Sequence, residues 1–418
     1  MYALIDSANF FVSCERVFKP SLLNIPVIVI GSNDGCAVAR SDEAKRLGIP
    51  MGAPLFKIKE IVAQHQVRVL SGNMLLYADM SRRVMDTIQH FVGEVEQYSI
   101  DECFVKLPSS KRKEDYLQWA VDLRQKILQW TGIPTRVGIG PTKTLAKLSN
   151  HHAKGIQSGV YYTDSNDAET LHKTPVEDIW GIGPKTAVKL RSYGVGTALD
   201  FIKLPDALIR KWLTVMGLKT AHELRGYPVF SLETQPEAQQ SMIVSRSFGK
   251  EVFTKEDLTQ SIIRHCHKAG ESLRKRELWT RYIGVHIRTN PFKGNYYSQS
   301  DIIEIPHPTQ DTQVLIESAK KVLEKIYRPG CAYKKSGICL EGLSDESSGV
   351  QLRLGESSSP KEIENRNGLM KAMDIINQKM GKHTVYFGED SQTAPWLPAS
   401  TNKSQDYTCN WKELPKVK

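Results

Sequence analysis

Long apolar runs are missing from this chain. Nowhere in its 418 residues do 18 apolar residues follow one another, which argues against a membrane-spanning helix. The N-terminus lacks a basic segment leading into an apolar stretch, so no signal peptide is expected and the chain is expected to work in the cytoplasm. Cysteine is sparse and unpatterned: Cys14, Cys36, Cys103, Cys266, Cys331, Cys339 and Cys409 are odd in number and contain no CxxC. That argues against a disulfide framework and a structural zinc site. No repeat recurs at solenoid spacing. A dinucleotide fingerprint is lacking too, because in GIGPKT the third glycine of GxGxxG is replaced by Thr186 and no strand leads into it.

What is present is an ordinary globular composition, with 40% hydrophobic and 24% charged residues, and a formal charge of +10. The length predicts roughly three or four domains. From residue 1 to about 165 apolar runs at Tyr2–Ile5, Val27–Ile30, Glu96–Ile100, Cys103–Leu107 and Arg136–Ile139 predict strands, and Tyr116–Trp130 predicts a helix. Residues 21–76 read as an insert between the first strand and a helix starting near Tyr77, and the remainder reads as a split βαβ arrangement. Residues 166–232 are helical and polar, and ETQPEAQQ near 233–240 reads as a linker. A second βαββαβ pattern occupies 240–343. A Ser/Glu-rich connector, a helix near Leu369–Lys379 and an HTVYFG strand follow it.

The chemistry concentrates at Tyr98–Glu102, YSIDE. It reads as the end of a strand closed by two adjacent carboxylates, Asp101 and Glu102, whose mutual repulsion asks for a cation. The first strand, YALI, ends in Asp6. If the two strands are neighbours, three carboxylates converge with the Ser7 carbonyl as a fourth oxygen. This hard, all-oxygen set suits Mg²⁺ and phosphate chemistry, and a two-metal site needs cations roughly 4 Å apart. The alternative is that these acids are solvated strand ends. Phe11, just beyond, is either a core aromatic or a residue facing a substrate sugar.

Basic residues supply the counterpart. Lys143, Lys147 and Lys154 lie in GIGPTKTLAKLSNHHAKG, spaced as one helix face, with no acid between Gly138 and Gly159. They meet a triphosphate or a nucleic-acid backbone, or simply solvent. Arg40 and Lys45, in GCAVARSDEAKRLG, are further candidates to enter a cleft. Gly181, Gly183 and Lys185 in GIGPK resemble the hairpin of a helix-hairpin-helix, whose backbone N–H groups hold a DNA phosphate. Between Ser241 and Ser300 stand 11 Lys or Arg against 5 Asp or Glu, among them Arg246, Lys250 and Arg288. This excess points to a grip on a duplex backbone, with a solvated face as the alternative.

LIDSANFFVSCE, SNDGCAVARSDEAKRLG, LYADMSRRVM, YSIDE and GIGPTKTLAKLSNHHAK, in this order, resemble the Y-family translesion DNA polymerases, as do SRSFG at Ser245 and YTCNWKELPKV at Tyr407. The resemblance covers nearly the whole chain. It implies an α+β, multidomain right-hand polymerase: a ferredoxin-like palm (1–20 and 77–165), small fingers (21–76), a helical thumb with a helix-hairpin-helix (166–232), a βαββαβ little finger (240–343), and a linker with a partner-binding tail (344–418). It further implies Asp6, Asp101 and Glu102 as catalytic ligands of two Mg²⁺ ions with Ser7, Phe11 as the steric gate against a ribose 2′-hydroxyl, and Arg40, Lys45 and Lys154 at the dNTP. Asp42 stands where many members carry Tyr. QLRLG, with Gln351, Leu352 and Leu354, resembles a sliding-clamp peptide without its terminal aromatic. The implied activity is error-prone translesion synthesis in the SOS response on primer-template DNA. The implied partners are a processed UmuD dimer, a RecA filament and the sliding clamp. A nucleotidyl cyclase and a catalytically silent DNA-damage scaffold are the rival readings.

Overall fold

The structure, a computed structural model, describes residues 1–108, 112–234, 238–345, 360–381, 384–388, 394, 396–397 and 400–414. The clamp-like residues Gln351, Leu352 and Leu354 lie outside the described residues. The chain divides into two compact units, one of Met1–Pro236 with Thr401–Lys418, the other Glu237–Ser400. The span 344–418 is thus shared between the units.

The first unit runs β1 (Tyr2–Ser7), α1 (Phe10–Phe18), β2 (Val27–Ile30), β3 (Ala37–Arg40), α2 (Asp42–Arg46), α3 (Lys59–Gln64), β4 (Arg68–Ser71), α4 (Met74–Val92), β5 (Val95–Gln97), β6 (Glu102–Lys106), α5 (Lys113–Thr131), β7 (Thr135–Gly140), α6 (Lys143–Ala153), β8 (Val160–Tyr162), α7 (Ala168–Lys173), α8 (Pro184–Ser192), α9 (Ala198–Ile202) and α10 (Asp206–Leu224). Its main sheet has the order β5-β6-β1-β7-β8, which puts β1 at the centre with antiparallel neighbours β6 and β7. Ala3, Ile5, Cys103 and Val137 point to one face and share a core with residues of α4 and α5, such as Tyr77, Met80 and Leu123. Tyr2, Leu4 and Phe104 point to the other, toward Ala146 of α6. Strands buried on both faces read as continuous apolar runs, and YALI is one. α6 can lie directly on β7 only because residue 138 is glycine. A Cβ there would stand 2.1 Å from the Asn150 nitrogen and 2.2 Å from the Ala146 carbonyl oxygen.

The insert forms its own three-stranded sheet, β3-β2-β4, around Ile28, Ile30, Ala44 and Ile49. Two expectations need correction here. Tyr98–Asp101 is not strand but the connection from β5 to β6, and Glu102 opens β6 rather than closing β5. The reason is local: the Ser99 hydroxyl accepts from the Asp101 and Glu102 amides, bending the backbone into a turn that the apolar pattern does not show. Ahead of the GIGPK hairpin stand α7 and a single 3₁₀ turn, Val176–Asp178, and α8 follows it.

The second unit is β9 (Ser241–Val252), α11 (Lys255–Lys275), β10 (Leu278–Thr289), β11 (Ser298–Thr309), α12 (Thr312–Ile326), β12 (Tyr333–Glu341), β13 (Ser344–Asp345) and α13 (Pro360–Met380). Four long strands in the order β11-β10-β12-β9 carry α11 and α12 on one face, a βαββαβ unit with its core at Leu258, Ile262, Leu315, Ile283 and Ile338. The described residues 384–388 of the expected HTVYFG strand form no strand. They are irregular, held where Val385 N donates to Asn377 Oδ1 and Phe387 N to His267 Nε2 instead of to a neighbouring strand.

Candidate active site

The register of β1 and β6 brings the acids together. Asp6 pairs directly with Glu102, and Ser7 N donates to the Asp101 carbonyl at 2.8 Å. On the other side Asp6 pairs with Arg136 of β7, whose guanidinium lies 3.9 Å from the Asp6 carboxylate and 4.0 Å from that of Asp42. Directly paired residues share a sheet face, so Asp6, Glu102 and Arg136 all stand on the face carrying α6. Lys147 of α6 reaches down to Glu102 at 2.7 Å, and the Ser99 hydroxyl donates to Asp101 at 2.5 Å.

Burial drives the Asp6 carboxyl up to about 6. The Lys154 charge opposes that rise, the neighbouring Asp101 and Glu102 add to it, and Arg136 opposes it. The sign for stability follows from proton counts. Between the ordinary carboxylate range and pH 6 the folded chain holds a proton that the unfolded chain has released, so stability falls as pH rises through that window and is flat above it. In metal-free buffer, Asp6→Asn is expected to flatten this slope and raise the unfolding free energy near pH 8 by about 2 kcal/mol. Denaturant titrations at pH 4, 6 and 8 check it, and a destabilised variant at pH 8 would contradict the burial argument.

The donor chemistry suits a divalent ion: three carboxylates at adjacent positions, the Asp6 carboxyl largely withdrawn from solvent and raised by its acidic neighbours. Among the described residues no three Asp, Glu, His or Cys side chains stand close enough to hold a metal as they are. Lys147 and Ser99 each hold one carboxylate oxygen, Oε1 of Glu102 and Oδ1 of Asp101, and a cation would compete with them for those atoms.

The lysines divide. Lys143 does not face the cleft with the others. It is buried, 3% exposed, and its ammonium meets both oxygens of Glu96 at 2.7 Å over the Phe104 ring. Lys147 sits over the Tyr98 and Trp180 rings, and Lys154, at the C-terminal cap of α6, is the exposed member whose charge acts on Asp6. Helical spacing put the three on one face but was silent about what covers each turn.

Phe11 is half-buried and stacks on Tyr77 at 4.4 Å with the rings 12° apart. Lys45 donates to Asn9 Oδ1 at 2.6 Å and to Asp42 Oδ1 at 2.9 Å, so the base of α2 is tied to the entry of α1. Arg40 donates to the Ile49 carbonyl. The GIGPK segment presents an open helix start: Gly183 caps α8, a Cβ on it would meet nothing, Gly181 has φ +89°, and Lys185 is exposed.

The basic residues of the second unit are not gathered on one surface. Arg246 pairs with Ser336 and through it with Ile287, on the face carrying α11, where its charge acts on His265. Arg288 pairs with Lys335 on the opposite, open face, where both act on His286. Lys250 is exposed near the end of β9. Sequence reasoning missed Arg136 and the Glu96 partner of Lys143. Arg136 stood inside a predicted strand, and only pairing shows which acids it faces.

This sheet, with its acids at the centre, a helix-hairpin-helix and a separate four-stranded βαββαβ unit, is the fold of Y-family DNA polymerases. A Y-family polymerase chimera superposes with TM-score 0.66 at 19% identity, covering 82% of this chain and 99% of the other. DinB from Sulfolobus solfataricus gives 0.50 at 18% with the same coverage. Residues 5–151 match the impB/mucB/samB family, 239–354 its C-terminal domain and 168–195 its HHH motif, while 367–417 match a domain of unknown function, DUF4113. The chain is 39% identical to Protein UmuC of Salmonella typhimurium over the full length of both, and 37% identical to Protein ImpB of the same organism over 99% of each. DNA polymerase IV of Corynebacterium diphtheriae is 29% identical over 82% of this chain and 75% of its own. The chain belongs to the impB/mucB/samB family of Y-family translesion polymerases, and it is a DNA-directed DNA polymerase acting on DNA and dNTPs. The cyclase and scaffold readings give way to that class.

Proposed function

We propose that the chain carries out error-prone translesion synthesis in the SOS response, in which a primer 3′-hydroxyl attacks the α-phosphate of a dNTP and pyrophosphate leaves, at a site where Asp6, Asp101, Glu102 and the Ser7 carbonyl would hold two Mg²⁺ ions. The observation that carries this is the β1–β6 register, which sets Asp6 opposite Glu102 with Asp101 one residue away. When bound, the ions supply a lowered hydroxyl pKa and neutralise the phosphate charge. The chain's own residues do the rest. Lys154 and Lys45 offer cations to the triphosphate. For Lys45 to do so its ammonium exchanges Asp42 and Asn9 for phosphate oxygens, which holds the fingers to the incoming nucleotide. Arg40, anchored on the Ile49 carbonyl, shapes the same wall.

The helix start at Gly181, Gly183 and Lys185 holds one phosphate of the duplex. The open face with Arg288 and Lys335, and the exposed Lys250, follow the backbone, while Arg246 serves at the rim of the helix-bearing face. The processed UmuD dimer, the RecA filament and the sliding clamp, the last through Gln351, Leu352 and Leu354, are proposed on the likeness to UmuC. The place of work is the bacterial cytoplasm, where the DNA is. There, a primer extension assay with Mg²⁺ and single dNTPs is the direct test.

Phe11 is read as the steric gate. Stacked on a fully buried Tyr77, its ring is backed and cannot retreat from a ribose 2′-hydroxyl. Phe11→Ala is expected to raise ribonucleotide use relative to deoxyribonucleotide use by about 100-fold, the scale on which a steric clash or its removal acts. Single-nucleotide incorporation kinetics decide it, and an unchanged ratio would return Phe11 to a packing role.

A further inference from the structure

Residues 401–407 return to the first unit and run beside the machinery just described. Thr401 donates through its amide and hydroxyl to Asp34 at 2.9 and 2.8 Å. Asn402 N donates to Ser71 Oγ, and its carbonyl accepts from Ser71 N, both at 3.0 Å. Asn73 Nδ2 donates to Ser404 Oγ at 3.0 Å and to the Gln405 carbonyl at 3.1 Å. Tyr407 stacks on Phe18 at 4.9 Å with the rings 7° apart. These contacts bridge the last strand of the insert, the start of α4 and the end of α1.

One of these contacts reaches inward. Ser404 Oγ donates at 2.9 Å to Oε1 of Glu15, a carboxylate in α1 that is 1% exposed. The same oxygen accepts from the Tyr77 hydroxyl at 2.7 Å, and the ring of Tyr77 is the one on which Phe11 stacks. A buried carboxylate needs its donors, and here one comes from the C-terminal segment and one from the residue behind the gate.

We propose that residues 401–407 act as a strap that sets the position of Phe11, through Ser404, Glu15 and Tyr77, and thereby tune discrimination between ribose and deoxyribose. Ser404, Glu15 and Tyr77 are positioning residues. None of them touches the nucleotide. This gives part of the DUF4113 region a role in the polymerase reaction itself, and it rests on the reading of Phe11 as the gate. The physical step is a two-bond relay. Without the Ser404 hydroxyl, Glu15 Oε1 keeps only the Tyr77 hydroxyl of these two donors, the Tyr77 ring gains freedom, and Phe11 can yield to a 2′-hydroxyl.

The test compares rNTP and dNTP incorporation by the full chain and by Ser404→Ala, Ser404→Thr and Phe11→Ala, in the preparation in which the natural chain extends a primer. Ser404→Ala should raise the rNTP-to-dNTP ratio of kcat/KM about 5-fold, mainly through a lower rNTP KM, as loss of one hydrogen bond to a charged group allows. Ser404→Thr keeps the hydroxyl and should stay within about twofold of the natural ratio. A raised ratio in Phe11→Ala with none in Ser404→Ala overturns the strap and leaves the gate standing. An unchanged ratio in Phe11→Ala overturns both. Equal rises in Ser404→Ala and Ser404→Thr overturn the relay, because they would show a lesion of the segment rather than loss of the hydroxyl. Hydrogen exchange gives a readout apart from catalysis: amides of residues 10–18 should exchange faster in Ser404→Ala, and unchanged protection counts against the strap.

Discussion

Asp101→Ala is expected to abolish primer extension, lowering the rate by about 1,000-fold or more, while the protein unfolds at nearly the natural temperature. The two halves of that statement come from different atoms of one residue. Its carbonyl, which accepts from Ser7 N, belongs to the backbone and survives the substitution, so the junction of β1 with the 98–101 turn persists. Its carboxylate is half-buried and held by a hydroxyl two residues away that can turn to water instead. Removing it therefore costs the fold little. For the reaction it removes one of three acids, and transition-state charge stabilisation of about 4 kcal/mol corresponds to that loss at 1.36 kcal/mol per decade. Primer extension with each dNTP, alongside thermal unfolding, checks both halves. Extension by the variant at the natural rate, or by neither protein, would remove the basis of the two-ion reading.

Lys143→Ala should do the reverse. Lys143 and Glu96 are 3% and 7% exposed and meet through two contacts of 2.7 Å. The pair also holds a strand of chain against the sheet, because Lys143 donates to the Ser231 carbonyl and Glu96 accepts from Glu233 N. Removing one partner leaves the other charge buried, which costs about 3–5 kcal/mol, whereas removing both together costs far less. Lys143→Ala is expected to lower stability by that amount, and Lys143→Met combined with Glu96→Gln to recover most of it. Denaturant unfolding of the natural chain and these two variants measures this. Had Lys143 faced a triphosphate, the single variant would weaken dNTP binding and leave stability alone.

The contrast between Asp101 and Lys143 shows what could be read in the chain before its fold. YALI, CFVKL and RVGI announced strands because apolar runs of that length bury on both faces, and the acids at 6, 101 and 102 drew notice because like charges on neighbours need a cation. The second βαββαβ unit was legible from period alone, since α11 and α12 repeat apolar residues at helical spacing between long alternating strands. Glu96, by contrast, looked like one polar residue in a strand, and Arg136 like one basic residue in another. Ser404 lay nearly 400 residues from Glu15, with no pattern to connect them.

What the sequence determined by itself, then, was most of the long strands and helices, the family and the residue types available for chemistry, because propensity, hydrophobic period and motif order are local properties of the chain. The tertiary structure alone decided partnership. It made Lys143 a buried counter-ion while Lys154 stayed exposed beside Asp6, put Arg246 and Arg288 on opposite faces of one sheet, and brought the C-terminal segment to the carboxylate behind Phe11. The physical reason is that a side chain's charge and exposure depend on what packs against it across a sheet or from a distant segment. Pairing register and long-range return of the chain are the two things that local spacing does not encode.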